Sequence, residues 1–263
     1  MGVASAWMVV MGLFGAILVM MSVYHWYFLP TGGRSTGVKT LKETLTTFWD
    51  VVVTFFRKKY VAWGILFLIF YRFAEGQAIK IVPLFMRAVR EQGGLGLSTE
   101  EVGILYGFFP PLAFILWSVL AGYFSSRRGL RKSLIILCAF FNVPFAVYAY
   151  LAFALPADFM IITTLVVIEY FGYGFGFVGL ILFMMQQMAP GRYKMAHYAF
   201  ATSLMQFGFL IPSMISGFVS DYLGYRDFFI WVMIATIPSF LITWLVPFRE
   251  TSTDGSAQPV NSA

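Results

Sequence analysis

VAWGILFLIFYRFAEGQAIKIVPLFM, running from Val61 to Met86, is an apolar stretch of membrane-crossing length with a polar patch set into its middle. The patch is Tyr71-Arg72-Phe73-Ala74-Glu75-Gly76-Gln77-Ala78-Ile79-Lys80 and carries three charges and an amide. A helix needs about 20 predominantly apolar residues to cross a bilayer. An ionisable side chain at the bilayer centre costs roughly 2.5 to 3.5 kcal/mol on insertion scales, so such groups are kept where they line a polar path or pair with one another. The stretch therefore reads as a membrane helix that handles something polar.

The composition around it agrees. The chain has 263 residues, is 60% hydrophobic and only 11% charged, and its mean hydropathy is +0.80. A soluble domain would carry about 25% charged residues. The net charge of +6 comes from bases in short loops between apolar runs, which is the positive-inside pattern and not a basic groove for nucleic acid. The expected partners are the lipid bilayer and a small-molecule solute, with no nucleic acid. Cys138 is the single cysteine, and His25 and His197 lie at opposite ends of the chain. No disulfide framework and no metal-ligand spacing follows from them.

Hydropathy predicts an all-α membrane protein with seven transmembrane helices, at 4–28, 60–87, 102–124, 133–154, 159–188, 196–221 and 228–248. Residues 29–59 form a polar connection opened by Pro30-Thr31-Gly32-Gly33. Within it Leu41, Leu45, Phe48, Val52 and Phe55 have the spacing of an amphipathic helix lying on the membrane surface. The domains expected are thus 1–28, a helix; 29–59, a cytoplasmic linker; 60–249, a six-helix bundle; and 250–263, a disordered Ser/Gly/Gln-rich tail.

Loop charge predicts the orientation. The 29–59 connection carries Arg34, Lys39, Lys42, Arg57, Lys58 and Lys59 against Glu43 and Asp50. Arg127, Arg128, Arg131 and Lys132 precede the fourth span, and Arg192 and Lys194 the sixth. The alternate loops are balanced or acidic: Arg90 with Glu91, Glu100 and Glu101; Asp158; Arg226 between Asp221 and Asp227. This bias puts the first set in the cytoplasm, the N-terminus outside and the C-terminus inside. No Lys or Arg precedes Arg34, so the opening apolar run lacks the basic start of a secretory signal. Helices preceding Met1 are the favoured expectation, and a seven-helix protein is the alternative.

Gly122-Tyr123-Phe124-Ser125-Ser126-Arg127-Arg128-Gly129-Leu130-Arg131-Lys132 ends the third span, and Gly217-Phe218-Val219-Ser220-Asp221-Tyr222-Leu223-Gly224-Tyr225-Arg226 ends the sixth. The two share a pattern and lie three helices apart, an odd number, so the copies face opposite sides of the membrane. An inverted three-plus-three repeat is how each half of many transporters is built.

The first copy resembles the major facilitator loop signature G-x-x-x-D-R-x-G-[RK]-[RK], with Ser126 in place of the acid and Leu130 in place of the first base. A finer resemblance is to the AmpG-like muropeptide permeases and their peptide–acetyl-CoA transporter relatives. It is carried by the charged opening helix, by Glu169-x-x-Gly172-x-Gly174-x-Gly176, by Tyr198-Ala199 with Ser203-Leu204, and by Pro212-x-x-x-x-Gly217. The resemblance implies the C-terminal half of a major facilitator transporter: the sixth of twelve helices, a linker, and a C-terminal bundle of inverted three-helix repeats. It also implies a bacterial inner membrane, a complementary N-terminal bundle, a proton gradient instead of a cofactor, and a sugar- or peptide-containing anionic solute such as a muropeptide. Gly122, Arg127, Gly129, Arg131, Gly217, Asp221 and Gly224 would form the gating loops.

With Arg72 at zero on an ideal helix of about 100° per residue, Glu75 lies at about −60°, Lys80 at about +80° and Gln77 at about +140°. Arg72 and Glu75 can pair at i, i+3. The four residues do not share one face, so Gly76 and Pro83 are expected to break the helix and re-aim part of it. The functional reading gives Arg72, Gln77, Lys80 and Gln187 to the substrate, and Glu75 to a proton or salt-bridge switch. The plainer reading is a structural pair with Lys80 snorkelling to the interface. Glu169 is the sole acid of the fifth span, and desolvation there favours a neutral carboxyl, which suits proton coupling. Gly172, Gly176 and Gly179 fall within about 80° of Glu169, and Gln187 shares its azimuth five turns on. Such small residues admit another helix or a substrate. Gln186 and Gln206 serve equally as helix-joining amides, and Tyr173, Phe175 and Phe177 read first as lipid-facing rings, with stacking on a sugar ring as the alternative.

Other classes fit less well. The span 228–248 has no lysine for a retinal Schiff base, and neither an H-E-x-x-H pair nor a G-x-x-x-x-G-K-[ST] loop occurs. The chain therefore reads as no enzyme. A non-transporting membrane subunit or sensor derived from half a transporter is the alternative to the transporter.

Overall fold

The computed structural model describes residues 2–29 and 40–248, which are helical and contain no strand. Arg34, Lys39, the segment Pro30–Gly33 and the tail 250–263 lie outside the described residues. The helices are α1 (Val3–Phe28), α2 (Leu41–Phe56), α3 (Val61–Tyr71), α4 (Phe73–Arg87), α5 (Thr99–Gly107), α6 (Phe109–Arg128), α7 (Leu130–Asn142), α8 (Ala146–Ala154), α9 (Phe159–Phe183), α10 (Lys194–Ile234) and α11 (Ile237–Leu245).

Among the described residues five stretches are long and apolar enough to cross a membrane: Ala4–Phe28, Thr99–Arg128, Leu130–Ala154, Phe159–Met188 and Lys194–Leu245. These are the helices of an integral membrane protein. Two places separate this number from the seven expected spans. Arg72 divides 60–87 into pieces of 11 and 15 residues, and the 52-residue stretch Lys194–Leu245 takes in both of the last two.

The chain divides into two units, 1–50 and 51–263. In the first, none of the side chains described on α1 is buried, although the helix is predominantly apolar. The first turns of α2 expose Leu41, Leu45 and Phe48.

The second unit holds the packed bundle. Its helices meet along α6–α9, α7–α9, α4–α10, α3–α10 and α3–α11. The glycines of α9 set two of these contacts. A Cβ on Gly172 or Gly176 would overlap the Phe140 or Leu137 carbonyl oxygen, and one on Gly174 would overlap Phe114 O. The face expected to admit a helix or a substrate therefore admits helices, α7 on one side and α6 on the other. Tyr71 Oη donates to Gly176 O at 2.7 Å, and Ser118 Oγ to Gly174 O at 3.0 Å, bonds that only such close backbone makes reachable.

Two large apolar cores result, beside a smaller cluster of Ala121, Leu137 and Phe175. One gathers Phe85, Leu105, Leu151, Ile162 and Phe229; the other gathers Phe67, Leu134, Phe141, Phe183 and Ile242. The helix break falls between them, with Tyr71 in the second core and Ala74 in the first. Arg72 itself leaves helical geometry at φ −101°, ψ 9°. The expected break at Gly76 and Pro83 is thus displaced: α4 runs through both, and Gly76 instead lets Phe209 O approach its Cα.

Two of the loop acids, Glu101 and Asp158, cap helices. Ser98 and Glu101 form a reciprocal capping box on α5, at 3.1 and 2.8 Å. Asp158 caps α9 through Met160 N at 2.7 Å. Arg90 forks onto Leu155 O and Pro156 O, both at 2.7 Å.

The two repeat motifs share one backbone feature. Gly129 has φ 76°, ψ 148° between α6 and α7, and Gly224 has φ 73°, ψ 163° inside the α10 stretch. This region of backbone space is essentially open to glycine alone. Each lies seven positions after the motif's first glycine, so equivalent residues make equivalent turns.

Candidate functional site

Where α4, α5, α8 and α9 converge they line a partly open cavity of about 330 Å³. From α4 it takes Glu75, Ala78, Ile79, Val82 and Pro83, the i, i+3, i+4, i+7, i+8 stripe of one helix face. Gln77 and Lys80 lie off that stripe. The other polar atoms come from Tyr106 of α5, Tyr148 of α8, and Glu169, Tyr170 and Tyr173 of α9. Sequence reading assigned Glu75 and Glu169 alike to proton coupling, with Glu169 as the partner of the charged patch, and both line this one cavity.

The two carboxylates are held differently. Glu75 is fully engaged: Arg72 Nε donates to its Oε2 at 2.6 Å, Arg72 Nη2 to its Oε1 at 2.7 Å, and Tyr173 Oη to Oε1 at 3.0 Å. Such a two-pronged pair is both strong and geometrically exacting. The remaining Arg72 nitrogen, Nη1, donates to Gln206 Oε1 at 2.9 Å. Phe209 covers the guanidinium at 4.5 Å and Phe177 lies 5.5 Å from it. Arg72 is therefore held between α4, α9 and α10 and does not line the cavity. Glu169 is 6% exposed and accepts one hydrogen bond, from Tyr148 Oη to Oε2 at 3.0 Å. Its Oε1 receives none from the described residues.

Neither Lys, Arg nor His is among the described residues lining the cavity. Lys80 is exposed. Gln77 is fully buried, and neither atom of its amide has a hydrogen-bond partner among the described residues. Gln187 lies in the five-residue π turn Met184–Met188 that follows α9, beside Lys58, Lys59 and Gly64. It is 18 positions from Glu169, or about 27 Å along a helix. The π turn also breaks the azimuth that ideal spacing gave it. Lys58 caps this turn by donating to Met188 O, and to Pro190 O at 2.9 Å.

No family model matches the chain. It is similar to an uncharacterized protein of Haemophilus influenzae, at 23% identity over 255 residues that cover 93% of this chain. The chain spans 58% of that relative's length.

Four cavity tyrosines were not picked out as site residues from sequence. Tyr173 was read with Phe175 and Phe177 as lipid-facing; instead Tyr173 reaches Glu75, Phe175 is buried, and Phe177 lies by Arg72. Tyr106 and Tyr170 stand with ring centroids 6.0 Å apart, as do Tyr170 and Tyr173, forming a continuous aromatic wall. A signal existed in part: Tyr173 is four positions, one helical turn, beyond Glu169. Tyr106 and Tyr148 had none, because tertiary packing alone brings them in.

The gating-loop residues form no common cluster with the cavity. Gly122 and Gly217 have open space where a Cβ would stand. Arg127 lies over the Tyr123 ring at 5.2 Å, and Arg131 and Asp221 are exposed.

Proposed function

We propose that the protein is a proton-coupled secondary active transporter of the major facilitator type, working by alternating access in a bacterial inner membrane. The observation that carries this reading is the cavity itself: two buried carboxylates among membrane-length apolar helices, one locked in an ion pair and one with an oxygen free. Ionisable groups so placed mark solute or proton paths.

Three further features support it. The helix that supplies Glu75 is interrupted at Arg72, and interrupted helices build the midplane sites of such transporters. The matching turns at Gly129 and Gly224 suit an inverted repeat, and with the 52-residue stretch Lys194–Leu245 they suit seven crossings with the N-terminus outside. The relative is longer than the part of it that the chain covers, which suits a second bundle as partner. In this mechanism Glu169 takes and releases the coupling proton. Glu75 exchanges Arg72 for a proton as the bundles rock. The solute is sugar- or peptide-containing, and a muropeptide is the one that sequence resemblance offers.

The test is accumulation of labelled solutes, an anhydro-muropeptide among them, by cells expressing the gene. Uptake should collapse with a protonophore and be lost in Glu75→Gln and Glu169→Gln. Uptake that persists in both variants would sink the proton-coupling assignment. Vesicles holding residues 1–263 alone should accumulate nothing, and accumulation there would remove the need for a second bundle.

A further inference from the structure

We infer that the cavity recognises an organic cation, an amine or quaternary ammonium group carried on the solute, through Glu169 and the tyrosine wall. The inference rests on reading this cavity as the solute site, and it names the chemistry that the site selects. The anion expected from Arg72 and Lys80 finds no counter-charge here. Arg72 spends all three nitrogens on Glu75 and Gln206, and the described lining holds no base.

What the lining does hold suits a cation. Glu75 is neutralised by Arg72, so Glu169 supplies the cavity's uncompensated acidic group. Its side chain is more than nine-tenths buried, and Oε1 is left without a partner. Around it stand Tyr106, Tyr148, Tyr170, Tyr173 and Phe145. Aromatic faces attract cations through their ring quadrupole, most strongly where water is excluded, and rings arranged as a cage are a known solution for quaternary ammonium groups. An anion would be repelled by the same ring faces, and by Glu169 whenever its proton has left. The volume of about 330 Å³ is at the small end of ligand sites, enough for the charged head of a solute whose remainder extends beyond it.

Three probes that share a benzyl group and differ in charge test this: benzyltrimethylammonium, benzyl alcohol and phenylacetate. Binding of each is measured by calorimetry to the full chain in lipid nanodiscs. The ammonium should bind about tenfold or more tighter than the alcohol, as one desolvated cation–π contact with a carboxylate implies, and phenylacetate should bind weakest. Glu169→Gln should bring the ammonium down to the alcohol's affinity. Tyr170→Leu, which removes a half-buried ring and leaves the carboxylate, should weaken the ammonium several-fold and the alcohol little. Phenylacetate binding as tightly as the ammonium, charge preference unchanged in Glu169→Gln, or no binding of any probe would each overturn the inference. The transport reading is decided separately by the uptake assay: cation-selective binding without any uptake sinks transport and leaves the recognition chemistry standing.

Discussion

Tyr173 donates its hydroxyl to Glu75 Oε1 at 3.0 Å, so the carboxylate that closes the Arg72 fork also anchors a ring of the neighbouring helix. Three elements meet at this acid: α4 carries it, the break before α4 supplies the guanidinium, and α9 supplies the phenol. Arg72 extends the connection to α10 through Gln206 at 2.9 Å. The polar patch is thus a junction as well as a cavity wall.

Removing one member of such a buried pair strands the other, at a cost of about 3 to 5 kcal/mol. Arg72→Met should therefore lower the thermal unfolding midpoint in detergent sharply. Arg72→Met combined with Glu75→Gln should recover much of the loss, because the glutamine carbonyl still accepts from Tyr173 without carrying a charge. A double variant no more stable than Arg72→Met would show that the charge left behind is not the source of the damage.

Gly129 and Gly224 adopt φ 76° and 73° with extended ψ, a region that a side chain enters at about 1 to 3 kcal/mol. Gly129→Ala and Gly224→Ala should each destabilise by that order. Gly122→Ala and Gly217→Ala should be near neutral, since nothing lies within 4 Å of a Cβ at either position. Equal losses at all four, measured by thermal unfolding, would mean that the first glycine of each motif has a role that the described contacts do not contain.

Hydropathy made most of the helices legible, because a lipid-exposed run of Phe, Leu, Ile and Val has no other stable form. It placed the break wrongly. Gly76 and Pro83 are the residues that usually interrupt a helix, but α10 packs closely on Gly76 and α4 continues through both. The chain yields at Arg72 instead, whose guanidinium is held by Glu75 and Gln206 on two helices. Glu75 and Glu169 were legible because an acid in an apolar span is conspicuous. The walls of the cavity they share were not, since 94 positions separate the two acids by number and only tertiary packing, α4 on α10, α10 on α8 and α8 on α9, brings them together. Gln187 misled because ideal helical spacing cannot foresee the π turn at Met184–Met188.

Gly76→Ala tests that packing directly. An added Cβ would stand 2.5 Å from Phe209 O and 2.8 Å from Pro212 Cγ, so α4 and α10 must separate or one must bend. Overpacking of this kind typically costs about 1 to 3 kcal/mol. The variant should unfold earlier and weaken the Ser213 Oγ to Gly76 O bond, at 2.7 Å in the native chain. Gly103→Ala, with nothing near its Cβ, is the control and should melt with the parent. A Gly76→Ala protein of parental stability would mean that the helices slide apart at little cost.

Loop charge predicts that the Arg127–Lys132 turn is cytoplasmic and the Asp158 turn outside, and accessibility of single cysteines tests that expectation. Cys138 is the sole native thiol and is fully buried, so background labelling should be low. Ser126 and Ala157 are exposed and flank the two turns. In intact spheroplasts a membrane-impermeant maleimide should label Ala157→Cys at once and Ser126→Cys only after the membrane is opened. The reverse order would invert the whole bundle, and the cavity between α4 and α9 would then face the proton gradient from the opposite side.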